Sequence, residues 1–361
     1  MFKDRIYNFS AGPSMLPLSV LETAAAEMTN YHGSGMSVME MSHRSKTYQA
    51  IFDQTKADFR RIFHVPDTHE ILFMQGGATF QFAAVPLNLI GQTGKADYAV
   101  TGNFSEIAMK EAKKYGDIAV ACSSADRNHT YIPSQEQLTV RPDASYFHYC
   151  ANNTIYGTEW HYVPETGGVP LVCDMSSNFL SKPVDVSRYG VIYGGVQKNL
   201  APAGMAIAIV RKDLAGKELP ITPKIMSYRI AIEKDSMDNT PPCYTIYMLG
   251  LVLKWLDEQG GVEGMEKIKS RKASLLYDVL DGSSLFRPIA DREARSDMNV
   301  TFRTGDDEID AAFIKAAADA GFVNLKGHRK AGGMRASIYN AMPMEGVEKL
   351  ADFMRAYEKN N

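Results

Sequence analysis

The feature that most constrains the fold of this chain is a series of short, continuous apolar runs, two of which lead into a charged residue. Residues 169–173 read Val-Pro-Leu-Val-Cys and run into Asp174. Residues 191–193 read Val-Ile-Tyr and lead through Gly194, Gly195, Val196 and Gln197 to Lys198. Apolar residues at consecutive positions, rather than at every second one, mark strands covered on both faces. Each run reads as a buried strand that delivers one charged group at or near its C-terminal end.

Further strand-like runs stand at 70–74, 97–101, 118–122, 146–150 and 203–210. Helical patterns separate them. Residues 17–28 read as a helix, and Tyr48, Ile51, Phe52, Phe59, Ile62 and Phe63 form one stripe at helical spacing. Strands alternating with helices predict an α/β fold. The pattern changes after Pro241 and Pro242. Residues 244–280 read as a long helix interrupted near Gly260 and Gly261. The tail then alternates strand (298–302), helix (308–320), strand (335–339) and helix (346–357). This predicts a large domain over 16–265 and a smaller C-terminal α+β domain over 266–361. Residues 1–15 lack a core pattern of their own and are expected to pack near the small domain.

Charge is nearly balanced, with 39 Lys and Arg against 42 Asp and Glu. Such a chain has no basic field for nucleic acid or an anionic membrane. No apolar run is long enough to span a bilayer, and the first residues lack the apolar segment of a secretory signal. A cytoplasmic protein is expected. Cys122, Cys150, Cys173 and Cys243 form no Cys-x-x-Cys pair, and three of them sit in or beside strand-like runs. They read as reduced thiols, with no metal site expected.

Three elements carry chemistry. Residues 75–79, Gln-Gly-Gly-Ala-Thr, follow a strand and open a helix. Backbone amides at a helix N-terminus bind phosphate, and glycine permits close approach. Alone, such a turn is as well explained by sterics. Asp174 alone could cap the next helix, and Lys198 alone could be solvated. Taken together in this chain order, they point to pyridoxal 5'-phosphate. Lys198 would form the Schiff base, and Asp174 would keep the pyridine nitrogen protonated. The turn would hold the phosphate.

Two His-Arg pairs add positive charge: His43 with Arg44 at a helix start, and His328 with Arg329 in a glycine-rich loop. Lys330 reads as solvated surface. Arg335 begins an apolar strand, and arginine grips carboxylate or phosphate through a planar fork. These residues suit a phosphorylated or dicarboxylic substrate.

Several motifs carry a family resemblance. They are Asn-Phe-Ser-Ala-Gly-Pro at 8–13, Ser-His-Arg-Ser-Lys at 42–46, Gln-Lys-Asn at 197–199, Asp-Asn-Thr-Pro-Pro at 238–242, Gly-His-Arg at 327–329 and Arg-Ala-Ser-Ile-Tyr-Asn at 335–340. From Asn8 to the last helix the chain resembles the phosphoserine aminotransferases, class V aminotransferases of pyridoxal phosphate fold type I. The resemblance implies a mostly parallel, helix-flanked seven-stranded sheet, a smaller C-terminal domain, and a homodimer with the active site at the subunit interface. It implies transamination between L-glutamate and 3-phosphohydroxypyruvate in serine biosynthesis. It further implies that a related phosphorylated substrate of pyridoxine biosynthesis is an additional option in some bacteria.

The resemblance also implies roles. Lys198 and Asp174 are the catalytic pair. Ala78, Thr79 and Gln197, with Asn239 and Thr240 from the partner subunit, surround the cofactor phosphate. Thr154 lies by the ring, and Phe104 stands where many relatives have a stacking tryptophan. Arg335 holds the substrate α-carboxylate. His43, Arg44, His328 and Arg329 hold the side-chain phosphate or γ-carboxylate, partly across the dimer. At 77–80, Gly-Ala-Thr-Phe replaces a Gly-Gly-Arg-Gly of some relatives. Other readings are a different class V aminotransferase or a non-catalytic metabolite-binding protein. A cysteine desulfurase would need a late reactive cysteine, and none follows Cys243.

Overall fold

The computed structural model describes residues 5–360. Seven strands form its main sheet: β1 (His69–Gln75), β2 (Lys95–Val100), β3 (Asp117–Ser123), β4 (Phe147–Cys150), β5 (Leu171–Asp174), β6 (Val191–Gly195) and β7 (Met205–Arg211). Their order is β1-β7-β6-β5-β4-β2-β3. All pairings from β6 through β3 are parallel, and β7 alone runs antiparallel to its two neighbours. Each run read from the sequence forms one strand, with its ends moved by a residue or two. The central strands are apolar at successive positions because helices cover both faces. Every residue of β4, β5 and β6 is buried.

The flanking helices follow from their stripes. On α2 (Lys46–Ile62), after α1 (Leu18–Ala26), the buried residues Tyr48, Ile51, Phe52, Phe59 and Ile62 recur at three- and four-residue spacing. The Ser45 hydroxyl caps this helix by accepting from the Tyr48 N–H (3.2 Å). Helices α3 (Gly77–Leu89) and α4 (Asn103–Ala112) each leave the C-terminal end of a strand, β1 and β2 respectively, so both N-termini point to one edge of the sheet.

Helix α5 (Cys243–Glu258) packs mainly on α2, and α6 (Gly261–Gly282) links two cores. Its Val262 and Met265 join the cluster around the main sheet. From Ala273 onward it packs in a second cluster with β8 (Arg287–Pro288), β9 (Asn299–Arg303), β10 (Met334–Ser337), α7 (Asp307–Asp319) and α8 (Met344–Asn360). Tyr7, Phe9 and Met15 belong to this second cluster. The two-residue strand Tyr7–Asn8 pairs in parallel with Phe322–Val323. Residues 1–4 lie outside the described residues. Such two-residue strands are too short to show periodicity, as is the hairpin of Asn152–Asn153 with Thr158–Glu159.

Among the described residues, no helix is long and apolar enough to cross a membrane, and no cluster of metal-binding side chains occurs.

Candidate active site

A cavity of about 340 Å³ opens at the C-terminal edge of the sheet. Parallel α/β sheets bind ligands there, because the strand ends deliver side chains and the following helices present N-termini. Asp174, the last residue of β5, is in register with Cys150 of β4 and Tyr193 of β6. Lys198 lies three residues beyond β6. Both charged groups and the start of α3 line the cavity.

Lys198 is held from two sides. Its ammonium donates to Thr154 Oγ1 and to Ser177 Oγ, both at 2.9 Å, and those hydroxyls contact each other at 2.6 Å. The Phe104 ring, at the start of α4, lies 5.5 Å from Nζ. The backbone carbonyl of Lys198 accepts from Ser14 Oγ, and the Ser14 N–H donates to the Gln197 carbonyl (3.0 Å). The N-terminal loop is thereby fastened over the lysine. A Cβ on Gly12 would stand only 3.3 Å from Lys198 Cγ.

Asp174 is buried. Its Oδ1 accepts from the Ser176 backbone N–H (2.9 Å) and hydroxyl (2.6 Å). Its Oδ2 has only the weak donor Cys150 Sγ, at 3.9 Å. Burial pushes this carboxyl above the usual carboxylate range, and Lys198 and Ser176 pull against that rise without cancelling it. One oxygen thus remains under-satisfied in a low-dielectric site that a cationic N–H would fit.

The opposite end of the cavity suits an anion. Gly76 has φ +87° and ends the strand in a left-handed turn before α3. A Cβ there would meet Phe80 at 2.7 Å, so glycine is required. Gly77, Ala78 and Thr79 then present their backbone at the N-terminus of a thirteen-residue helix. Beside them Gln197 also lines the cavity. These residues fit pyridoxal phosphate: an amine for its aldehyde, a carboxylate for its ring nitrogen, and a helix start for its phosphate.

Of the residues named from the sequence, Ala78, Thr79, Phe104, Thr154, Asp174, Gln197 and Lys198 line this cavity. Arg335 is half-buried beside it and donates from Nη1 to the Thr154 carbonyl (3.2 Å). Its Nε is buried without a partner. Burial lowers the basicity of His328, and Arg335, Arg329 and Lys330 lower it further, so this loop and β10 form one cationic patch. His43, Arg44, Asn239 and Thr240 do not line the cavity of their own chain. His43 is buried, with Nε2 lacking a partner, whereas Arg44 is exposed. Asn239 donates to Gln75 Oε1 (3.1 Å), and the Thr240 carbonyl accepts from Gln75 Nε2 (2.8 Å). Both therefore sit against the residue preceding the glycine turn. Lys330, read as solvated, is exposed and lies 3.8 Å from Glu106.

Sequence reasoning gave no role to Cys150, Asn152, Ser176 and Ser177, which also line the cavity. The two serines stand two and three residues after Asp174, and their hydroxyls were the available signal. Asn152 gave none, because it reaches the site from a two-residue strand.

This sheet topology, with lysine and aspartate facing one cavity, defines a pyridoxal-phosphate-dependent transferase of fold type I. A family model for class V aminotransferases matches residues 6–350. A phosphoserine aminotransferase of Nitrosomonas europaea is 50% identical over 365 residues, covering 99% of each chain. The solved phosphoserine aminotransferase of Bacillus circulans subsp. alkalophilus superposes with a TM-score of 0.97 at 44% identity, covering 99% of each chain. The pyridoxal-phosphate-bound phosphoserine aminotransferase of Trichomonas vaginalis gives a TM-score of 0.94 at 39% identity, covering 97% of this chain and 100% of that one. The chain belongs to the class V aminotransferases, within the phosphoserine aminotransferase family, and its cofactor is pyridoxal phosphate.

Proposed function

We propose that the chain transfers an amino group reversibly between L-glutamate and 3-phosphohydroxypyruvate, giving 2-oxoglutarate and O-phospho-L-serine for serine biosynthesis. One observation carries the reading: Lys198, Asp174 and the α3 N-terminus converge on a single cavity. The names of relatives about half identical along the whole chain support the choice of substrate.

When bound, pyridoxal phosphate supplies the electron-withdrawing ring and stores the amino group between half-reactions. The protein's residues do the rest. Lys198 anchors the cofactor, takes the substrate Cα proton as base and returns it as acid. Thr154 and Ser177 orient its amine. Asp174 holds a proton on the ring nitrogen. Arg335 grips the α-carboxylate, and the His-Arg pairs grip the far anionic group, which fixes the Cα–H bond relative to the ring. Phe104 walls one side against water.

The proposal includes a homodimer. His43 and Arg44 do not line the cavity of their own chain, and Asn239 and Thr240 reach only Gln75 beside its edge; a second copy would bring these residues to the site. Met36 and Met39, shortly before His43, are 42% and 56% exposed in the single chain, as an unfilled interface requires. The proposal also assigns 16–265 to the large domain and 266–361 to the small one.

The test is a visible-absorption titration of the purified holoprotein with O-phospho-L-serine, using alanine and cysteine as controls. Phosphoserine should consume the lysine-bound cofactor band far more efficiently than either control. Conversion by another amino acid alone would overturn the role of the His-Arg pairs. A protein that shows no band after added pyridoxal phosphate would end the enzymatic reading.

A further inference from the structure

Lys272 on α6 is fully buried and, among the described residues, has no carboxylate partner. Its ammonium instead faces four backbone carbonyls of the turn after β10: Tyr339 (2.8 Å), Met342 (3.0 Å), Ile338 (3.1 Å) and Asn340 (3.4 Å). An ammonium has three hydrogens, so the cage is fully used and one hydrogen is shared. Burial alone pushes this amine down to about 7, while four acceptors favour its protonated form. Isolated buried charges are rare, because desolvation is costly. What the ammonium holds in place is therefore informative.

The caged turn reaches directly to the active site. The Asn340 backbone N–H donates to Asn199 Oδ1 (3.0 Å), and its side-chain amide donates to the Leu180 carbonyl (2.9 Å). Asn199 in turn donates to the carbonyls of Ser177 (2.9 Å) and Phe179 (3.0 Å). Leu180 has φ +53°, a left-handed conformation that a branched residue holds only when its surroundings impose it. The segment 177–180 is thus pinned at three carbonyls by two asparagines. Its first member, Ser177, accepts from Lys198 Nζ.

We propose that Lys272 is a positioning residue of the active site: its ammonium fixes the 338–342 turn, and Asn340 and Asn199 pass that geometry to Ser177 and Lys198. The inference rests on the aminotransferase reading above. Lys272 touches neither cofactor nor substrate. Its effect is on where the Lys198 amine stands.

The experiment compares wild type, Lys272→Met and Asn340→Ala as holoproteins. Methionine keeps an unbranched apolar stem and removes the charge. The readout is the pH titration of the visible band without substrate, together with kcat and KM for O-phospho-L-serine. The midpoint should move by about half a pH unit or more in both variants, because the surroundings of the Lys198 amine change. Turnover should fall about tenfold with little change in KM, as misplacement of a reacting group does. The double variant should move the midpoint no further than the larger single change, since both residues act through one path. A role in stability alone would leave the midpoint of the folded fraction unmoved, and that result overturns the proposal. If Lys272→Met does not fold, Lys272→Gln, which keeps a donor toward the carbonyls without the charge, decides by the same criterion. A wild type without any band defeats the aminotransferase reading itself, whereas a normal wild-type band with unmoved variants defeats only this inference.

Discussion

Arg335 donates a guanidinium N–H to the carbonyl of Thr154 at 3.2 Å, and the hydroxyl of the same threonine accepts from Lys198 at 2.9 Å. The residue proposed to grip the substrate carboxylate and the residue proposed to move its proton are therefore one side chain apart. Arg335 retains a buried, unpartnered Nε, and burial lowers its basicity. An arriving carboxylate would relieve both conditions by accepting from two nitrogens. Arg335→Lys keeps a charge and loses the fork. It should raise KM for every amino-acid substrate about 10–100-fold, the equivalent of a charged hydrogen bond of roughly 1.5–3 kcal/mol. Steady-state kinetics with phosphoserine and glutamate checks this. An unchanged KM for both would remove Arg335 from carboxylate binding.

Lys198→Ala should abolish turnover, with a fall of at least about ten-thousand-fold, since both cofactor attachment and proton transfer are lost. Asp174→Asn removes the charge proposed to keep the ring nitrogen protonated but leaves the shape of the site. Its kcat should fall roughly 100-fold or more, while the band still forms. Single-turnover measurements separate the two variants. Normal steady-state activity in Lys198→Ala would sink the mechanism.

Arg44 bears on substrate choice rather than chemistry. It is exposed in the single chain and does not line its own cavity. If a second copy receives it at the far anionic group, Arg44→Ala should cut kcat/KM for phosphoserine and glutamate about tenfold or more, and for alanine much less. Competition assays with the three amino acids give the ratio. Equal losses would refute the side-chain role.

Most of the site was legible because its residues stand at strand ends. Asp174 closes β5, Lys198 lies just past β6, and Gly76 sits between β1 and α3. Continuous apolar runs located these strands, and a charge after such a run is visible in one dimension. What escaped depends on contacts between distant segments. Asn152 reaches the cavity from a strand too short for any period, held by Asn299 some 147 positions away (2.8 Å). Lys272 is one of several lysines in a helical stretch, and only its burial among carbonyls of a remote turn distinguishes it. His43 and Arg44 stand out by residue type, and no local pattern encodes that they do not line the cavity of their own chain.

The hairpin bearing Asn152 is also a point of structural weakness. Its turn residue Gly157 has φ +73°, and a Cβ there would stand 2.3 Å from Thr301 Oγ1 and 2.8 Å from the Asn299 carbonyl. The obstruction is partly backbone, so neither neighbour can simply rotate away. Gly157→Ala should destabilise the protein by about 2 kcal/mol or more, from strain at positive φ added to overpacking. A lowered urea midpoint is expected. Because Asn152 would shift with the hairpin, cofactor affinity should weaken as well. An unchanged midpoint would show that the turn can open without disturbing β9.

Glu159, at the far end of that hairpin, ties the two cores together electrostatically. It is buried, and it accepts from Lys182 Nζ (2.8 Å), Asn178 Nδ2 (3.3 Å) and the Asp297 backbone N–H (3.2 Å). Burial pushes its carboxyl up, but Lys182 and Lys269 outweigh burial and hold it below the ordinary glutamate range. A depressed folded-state value means that the unfolded chain binds the proton more readily, so the group stabilises the fold above its unfolded pKa. That contribution fades as pH falls below about 4.3, the ordinary glutamate value, and is gone once pH passes below the folded value. Glu159→Gln should cost about 3 kcal/mol at neutral pH, the low end for breaking a buried pair, because Lys182 keeps partial access to water. The difference from wild type should shrink as the solution is acidified through this window, while surface carboxylates contribute equally to both proteins and cancel. Urea midpoints taken between neutral pH and the acid limb test this, and a difference that stays constant across the range would show that the Glu159 charge is not coupled to folding.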